Sequence, residues 1–157
     1  MYVISENEDG NLTNSNASIK NNLKVWLNQG RMINDTIDIL DAKIINIGIE
    51  FVITGDIETN RFLLLDRANE ALRDSYNQKF DIGEPFFITE VFKTLQAVQG
   101  VVDVNSVRVV QKSGANYSST YMDLDSRTSA DGKYIDVPKN VVMEIKFPDA
   151  DIVGSVK

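Results

Sequence analysis

The stretch Lys43-Ile-Ile-Asn-Ile-Gly-Ile-Glu-Phe-Val-Ile-Thr54 decides the fold. Ile45, Ile47, Ile49, Phe51 and Ile53 take every second position and alternate with polar or small residues. That is the period of a half-buried strand. The run is long for one strand, so it reads as the main strand of a sheet. Gly48 inside it points to a bulge or to a close approach by another backbone. Ile37 and Ile39 carry the alternation upstream, with Asp41-Ala42 as a bend between two pieces.

Before the strand, residues 16–29 read as a helix. Ser18 is the expected N-cap, Ile19, Leu23, Trp26 and Leu27 form one apolar face, and Gly30 supplies a left-handed stop. After it, Gly55-Asp56 ends the strand and Thr59 or Asn60 caps a helix through about residue 78. Its inner stripe is Leu65, Ala68, Leu72 and Tyr76, widened by Leu64 and Ala71, with Arg67, Arg73 and Asp74 toward solvent. Phe80, Ile82, Phe86 and Phe87 around Gly83 and Pro85 read as a packed loop. Thr89 is the expected cap of a shorter helix with Val91, Leu95 and Val98 inward, ended by Gly100. Val101 to Val110 make a strand, interrupted near Asn105.

Residues 111–139 are rich in Ser, Thr, Asp, Gly and Tyr, with Asp131-Gly132 as a hairpin-turn signal. They read as an extended arm or hairpin. A last strand is expected over 141–147, followed by a tail without clear periodicity. The organisation is therefore an N-terminal extension (1–15), a helix (16–30), an α+β core (31–110), the arm (111–139), and a final strand and tail (140–157). Helices segregated over a small mixed or antiparallel sheet imply an α+β two-layer sandwich, ferredoxin-like in character. Tyr2-Val3-Ile4 running into Glu8-Asp9-Gly10-Asn11 reads as the end of a strand and a turn. A chain seldom begins in mid-strand, so Met1 is expected to be an internal or engineered start.

Composition narrows the chemistry. The 157 residues are 43% hydrophobic and 25% charged, ordinary for a globular domain. Net charge is −7, leaving no basic surplus for nucleic acid or an anionic membrane. No apolar run is long enough to span a bilayer, and residues 1–10 do not read as a signal peptide. Asn11-Leu-Thr and Asn116-Tyr-Ser then read as chance sequons. The sequence contains no Cys and no His. That closes thiolate chemistry, the Ser-His-Asp triad and every His-containing zinc signature.

Two stretches carry a family resemblance. One is Leu23-Lys-Val-Trp-Leu-Asn-Gln-Gly-Arg31-Met-Ile-Asn-Asp35-Thr-Ile-Asp-Ile-Leu-Asp41, continuing to Phe51. The other is Lys79-Phe-Asp-Ile-Gly83-Glu-Pro-Phe-Phe-Ile-Thr-Glu-Val-Phe-Lys-Thr-Leu95, continuing through Gly100-Val-Val-Asp-Val104. Both resemble the C-terminal region of the baseplate wedge protein, baseplate J-like, of T-even-like contractile-tailed bacteriophages. The resemblance spans residues 16–110, with a looser echo in Val142-Met-Glu-Ile-Lys-Phe-Pro148. Each motif alone is a core pattern; the ordered set is what is distinctive. Residues 111–137 lie outside it.

The resemblance implies an architectural role: a virion component, assembled in the host cytoplasm, that dimerises and rings the tail hub with other wedge subunits. It implies no enzyme activity, cofactor, small-molecule substrate, nucleic acid or membrane.

The interface candidates are Trp26, Arg31, Asp35, Tyr117, Tyr121 and Tyr134. Trp26 reads first as core and second as an interface anchor, because Trp is enriched at hot spots. Arg31 and Asp35 bracket the turn into the strand, as a local ion pair or as a partner contact. The three tyrosines suit an arm that wraps a neighbour, or an exposed loop. Asp123-Leu-Asp125-Ser-Arg127 is the one candidate for a competing reading, a small carboxylate-based metal-binding or hydrolytic domain. Arg127 stands at the third ligand position and no central Gly follows, so the calcium-loop grammar is incomplete. A generic α+β adaptor module, unrelated to phage, is the remaining alternative.

Overall fold

The computed structural model describes residues 1–30 and 36–157, and the alternating isoleucines lie on a single strand, Lys43–Gly55. In chain order the described elements are β1 (Tyr2–Val3), β2 (Ser5–Glu6), β3 (Leu12–Thr13), α1 (Ala17–Asn28), β4 (Leu40–Asp41) and β5 (Lys43–Gly55). There follow α2 (Arg61–Ser75), β6 (Phe86–Phe87), α3 (Ile88–Gln96), β7 (Val101–Gln111) and α4 (Leu124–Arg127). The chain closes with β8 (Tyr134–Ile135), β9 (Val141–Glu144), α5 (Pro148–Asp151) and β10 (Ile152–Val156). The fold is mixed α+β, with five helices and several small sheets among the described residues.

Strand β5 organises the main sheet because three strands pair with it. β9 runs parallel to its first part, β10 parallel to its second, and β7 antiparallel to most of its length. Successive residues of a strand point their N–H and C=O groups to opposite edges. Lys43 N donates to Asn140 O and Lys157 N donates to Ile53 O, both at odd positions of β5, whereas Lys112 N donates to Asn46 O. β9 and β10 therefore share one edge of β5, and β7 takes the other. The hand-over between β9 and β10 occurs where α5 passes Gly48. A Cβ at position 48 would stand 2.7 Å from the Asp151 carbonyl oxygen, the close backbone approach that the glycine implied. Strand β7 is not broken at Asn105 but bulged. Val52 pairs Ser106 and Ile53 pairs Val104, which leaves Asn105 outside the ladder, and Val102 is skipped in the same way.

The odd face of β5 is the core. Ile45, Ile47, Ile49 and Ile53 are wholly buried beneath Leu64, Ala68 and Leu72 of α2 and Val91 and Leu95 of α3. α2 packs on β10, α3 on β7, and the two helices on each other. Asn60 caps α2, its side chain accepting from Phe62 N. Tyr76, Phe80 and Phe86 form an aromatic cluster under the loop, with ring centroids 5.6–5.9 Å apart.

Several local expectations are corrected. Asn16, not Ser18, caps α1, because its Oδ1 accepts the Ser18 N–H at 2.9 Å. Gly30 is not left-handed; α1 closes with Gln29 N and Gly30 N donating to Trp26 O and Leu27 O. Thr89 does not cap α3. Phe87 occupies that position, and the Thr89 N–H is taken by Lys133 O. Ile37 and Ile39 precede β4 rather than extending it. α2 ends at Ser75, short of 78. The last predicted strand stops at Glu144, and the tail supplies a further one, β10. Residues 111–139 do not stand away from the body. Leu124, Ile135 and Val137 join the core, and Thr128 bridges Ile135 across the turn at Asp131-Gly132.

Candidate interface surfaces

Helix α1 is amphipathic in sequence, yet none of its residues is buried. Leu23 and Leu27 are half-buried, while Ile19 (55%), Val25 (63%) and Trp26 (67%) are exposed. Trp26 as a core residue is thus corrected. The physical reason lies in the sheet: α2 and α3 already cover its odd face, and among the described residues no other element packs substantially on α1. Polar contacts help hold α1 beside the half-buried Leu23 and Leu27. Lys20 Nζ meets Asp41 Oδ2 at 2.7 Å, and Ser15 N donates to Asp41 Oδ1 at 3.1 Å. The Lys20 bond foremost, with help from Ser15, keeps the Asp41 carboxyl below the usual carboxylate range. Met1, Tyr2 and Leu40 are also exposed, on the β1–β4 ribbon.

Arg31 and Asp35 lie outside the described residues. The three tyrosines are not brought together. Tyr117 is half-buried and edge-on to Phe147, and its hydroxyl donates to Asp151 Oδ1 at 2.7 Å. That bond, then burial, holds its phenol above the ordinary value. Tyr134 lies on β8 with its ring 6.1 Å from Phe87. Tyr121 is 80% exposed, the most exposed of the three, and Tyr134 is exposed to a lesser degree.

A buried polar group that the sequence did not signal sits on the other face of β5. Asn46, Glu144 and Asp151 are at most 7% exposed. Glu144 Oε1 accepts from Leu12 N at 2.6 Å and Oε2 from Asn46 Nδ2 at 2.8 Å. Asn46 Oδ1 accepts from Ser118 N at 2.6 Å. Asp151 adds the Phe147 N–H at 2.9 Å to the Tyr117 hydroxyl. The group pins the N-terminal segment and residues 117–118 to the sheet. Alternation alone placed Asn46 toward solvent; nothing local marks it as buried.

Of the Asp123–Asp125 pair, only Asp123 has a structural role. Asp123 caps α4 by accepting from Ser126 N, Asp125 is exposed, and Arg127 pairs Asp136 at 3.3 Å. Among the described residues no cluster of three or more Asp, Glu, His or Cys is placed to hold a metal.

Between α2 and α3 runs an open groove of about 750 Å³. Ala71, Ser75, Thr94 and Ala97 line it with small side chains, and Glu70, Asp74 and Glu90 stand along it with Arg67 and Lys93. Tyr76 lies at one end, its phenol pushed well up by burial first and by Glu90 second. No protein-family model matches the chain, and no curated protein matches it at a significant level.

Proposed function

We propose that this chain is an architectural module acting through protein–protein contacts: a baseplate wedge component of a contractile phage tail, similar to the C-terminal region of the J-like wedge protein. The observation that carries the contact half of this reading is α1, a 12-residue helix with no buried residue and an exposed Trp. Isolated helices of this length are marginal in water, so α1 gains from a surface that covers it. Trp exposed on such a helix is the usual anchor of a hot spot. The phage placement rests on the resemblance over residues 16–110. In this reading the chain binds copies of itself, as a dimer or ring, and other wedge subunits in the virion. It uses no cofactor, substrate, nucleic acid or membrane and performs no reaction.

The finer fold belongs to the same proposal. α2 and α3 over one sheet face support a two-layer sandwich. Its ferredoxin-like character lies in the layering and not in the order, since only the two-residue β6, paired with β8 outside the main sheet, separates α2 from α3, where a β-α-β-β-α-β order would interpose a pair of sheet strands.

Sedimentation velocity over a concentration series tests the reading. Reversible self-association, weakened by Trp26→Ala by about 2 kcal/mol or more, is expected. A strict monomer that also captures no baseplate wedge subunit overturns it.

A further inference from the structure

We propose that the groove between α2 and α3 of one copy receives helix α1 of a second copy, in a head-to-tail contact; this rests on the self-association proposed above. Three features favour that occupant. The first is shape. Ile19, Leu23 and Trp26 recur at helical spacing along one side of α1, and Ile19 and Trp26 are exposed. Ala71 and Ser75 of α2 face Thr94 and Ala97 of α3, and small side chains let a third helix settle between two others.

The second is charge. Between Asn16 and Gly30 the only charged residues are Lys20, which pairs with Asp41 of its own chain, and Lys24, which makes no ion pair among the described residues. The groove carries Glu70, Asp74 and Glu90 against Arg67 and Lys93, an excess of one carboxylate. None of these three carboxylates makes an ion pair among the described residues. Two α1 helices packed on each other would instead bring together two purely cationic helices.

The third is geometry. α1 does not pack substantially on α2 or α3 of its own chain. Donor and acceptor surfaces are therefore different, and such a contact closes into a ring or continues as a filament.

The sequence has no Cys, so engineered thiols are unambiguous. Asn22→Cys on α1 and Ala97→Cys in the groove are prepared as single variants, mixed and oxidised. A covalent heterodimer from the mixture, and a ladder of oligomers from the double variant, are expected. Glu90→Lys is expected to weaken association roughly two- to fivefold, as for an exposed ion pair, with Lys24→Glu in the same chain restoring it. If Asn22→Cys alone cross-links to itself and the mixture gives no heterodimer, the groove is not the acceptor, while self-association stands. The same holds if the chain associates with neither cross-link forming. A chain that stays monomeric throughout overturns this inference and the reading beneath it together.

Discussion

Asn46 and Glu144 face each other across the parallel β5–β9 pair, joined by a 2.8 Å hydrogen bond. Each also holds a distant backbone group, Ser118 N in one case and Leu12 N in the other. Two side chains thereby fix two separate parts of the chain on the second face of the sheet.

Asn46→Ala should therefore cost more than a lost side chain. It leaves Glu144 Oε2 and the Ser118 N–H without their partner, and each unsatisfied buried group costs about 1–3 kcal/mol. Denaturant unfolding should show a lower midpoint at unchanged slope, and amide exchange at Ser118 should accelerate selectively. A midpoint equal to the parent's would show that the network contributes little.

Gly154→Ala tests the packing of β10. A Cβ at 154 would come within 2.2 Å of Phe51 Cζ and 2.8 Å of Leu65 Cδ1, so the ring must move. Overpacking of this kind typically costs about 1–3 kcal/mol. Phe51→Leu made on top of Gly154→Ala should recover part of that loss, giving a coupling that a thermal-melt double-mutant cycle would detect. Strictly additive effects would contradict the contact.

Acidification should loosen α1. Asp41 has its carboxyl depressed in the folded chain, chiefly by Lys20. A depressed carboxylate contributes stability that is present above its unfolded value and lost as pH falls through the folded one. The single tryptophan is Trp26, on α1 itself, so its fluorescence reports the event. A transition below about pH 4, the ordinary carboxylate range, is expected in the parent and absent in Asp41→Asn. The same transition in both chains would assign it to another group.

Tyr117→Phe removes one of the two hydrogen bonds to the fully buried Asp151 carboxylate. The expected loss is about 1–3 kcal/mol, since the carboxylate stays buried with the Phe147 N–H alone. Tyr121→Phe, at a ring 80% exposed, should be close to neutral in the same assay. Equal effects at the two positions would mean that residues 117–121 do not dock as a unit.

Local pattern carried far where burial follows from period. The alternation around Ile45 to Ile53 marked β5, the stripe Leu65, Ala68, Leu72 and Tyr76 marked the inner side of α2 although Leu64 and not Leu65 lies fully inward, and the cap was narrowed to Thr59 or Asn60. Gly48 was legible too, because only a missing side chain lets another backbone come so near. β10 was not: Ile152-Val-Gly-Ser-Val156 is short, interrupted by glycine, and stable only beside β5. The interface candidates were legible only as residue types. Trp26 read as core because its helix is amphipathic, and its exposure depends on elements far along the chain.

The sequence by itself determined the central strand, the helices over it and a chemistry without Cys or His. Those follow from residue period and side-chain inventory, which are local properties. Tertiary structure decided which apolar helix is covered, how residues 111–139 lie, and that Asn46 and Glu144 are buried together. These depend on competition for one sheet face and on partners such as Asn46 and Glu144, 98 positions apart. No window of sequence contains both sides of such a contact.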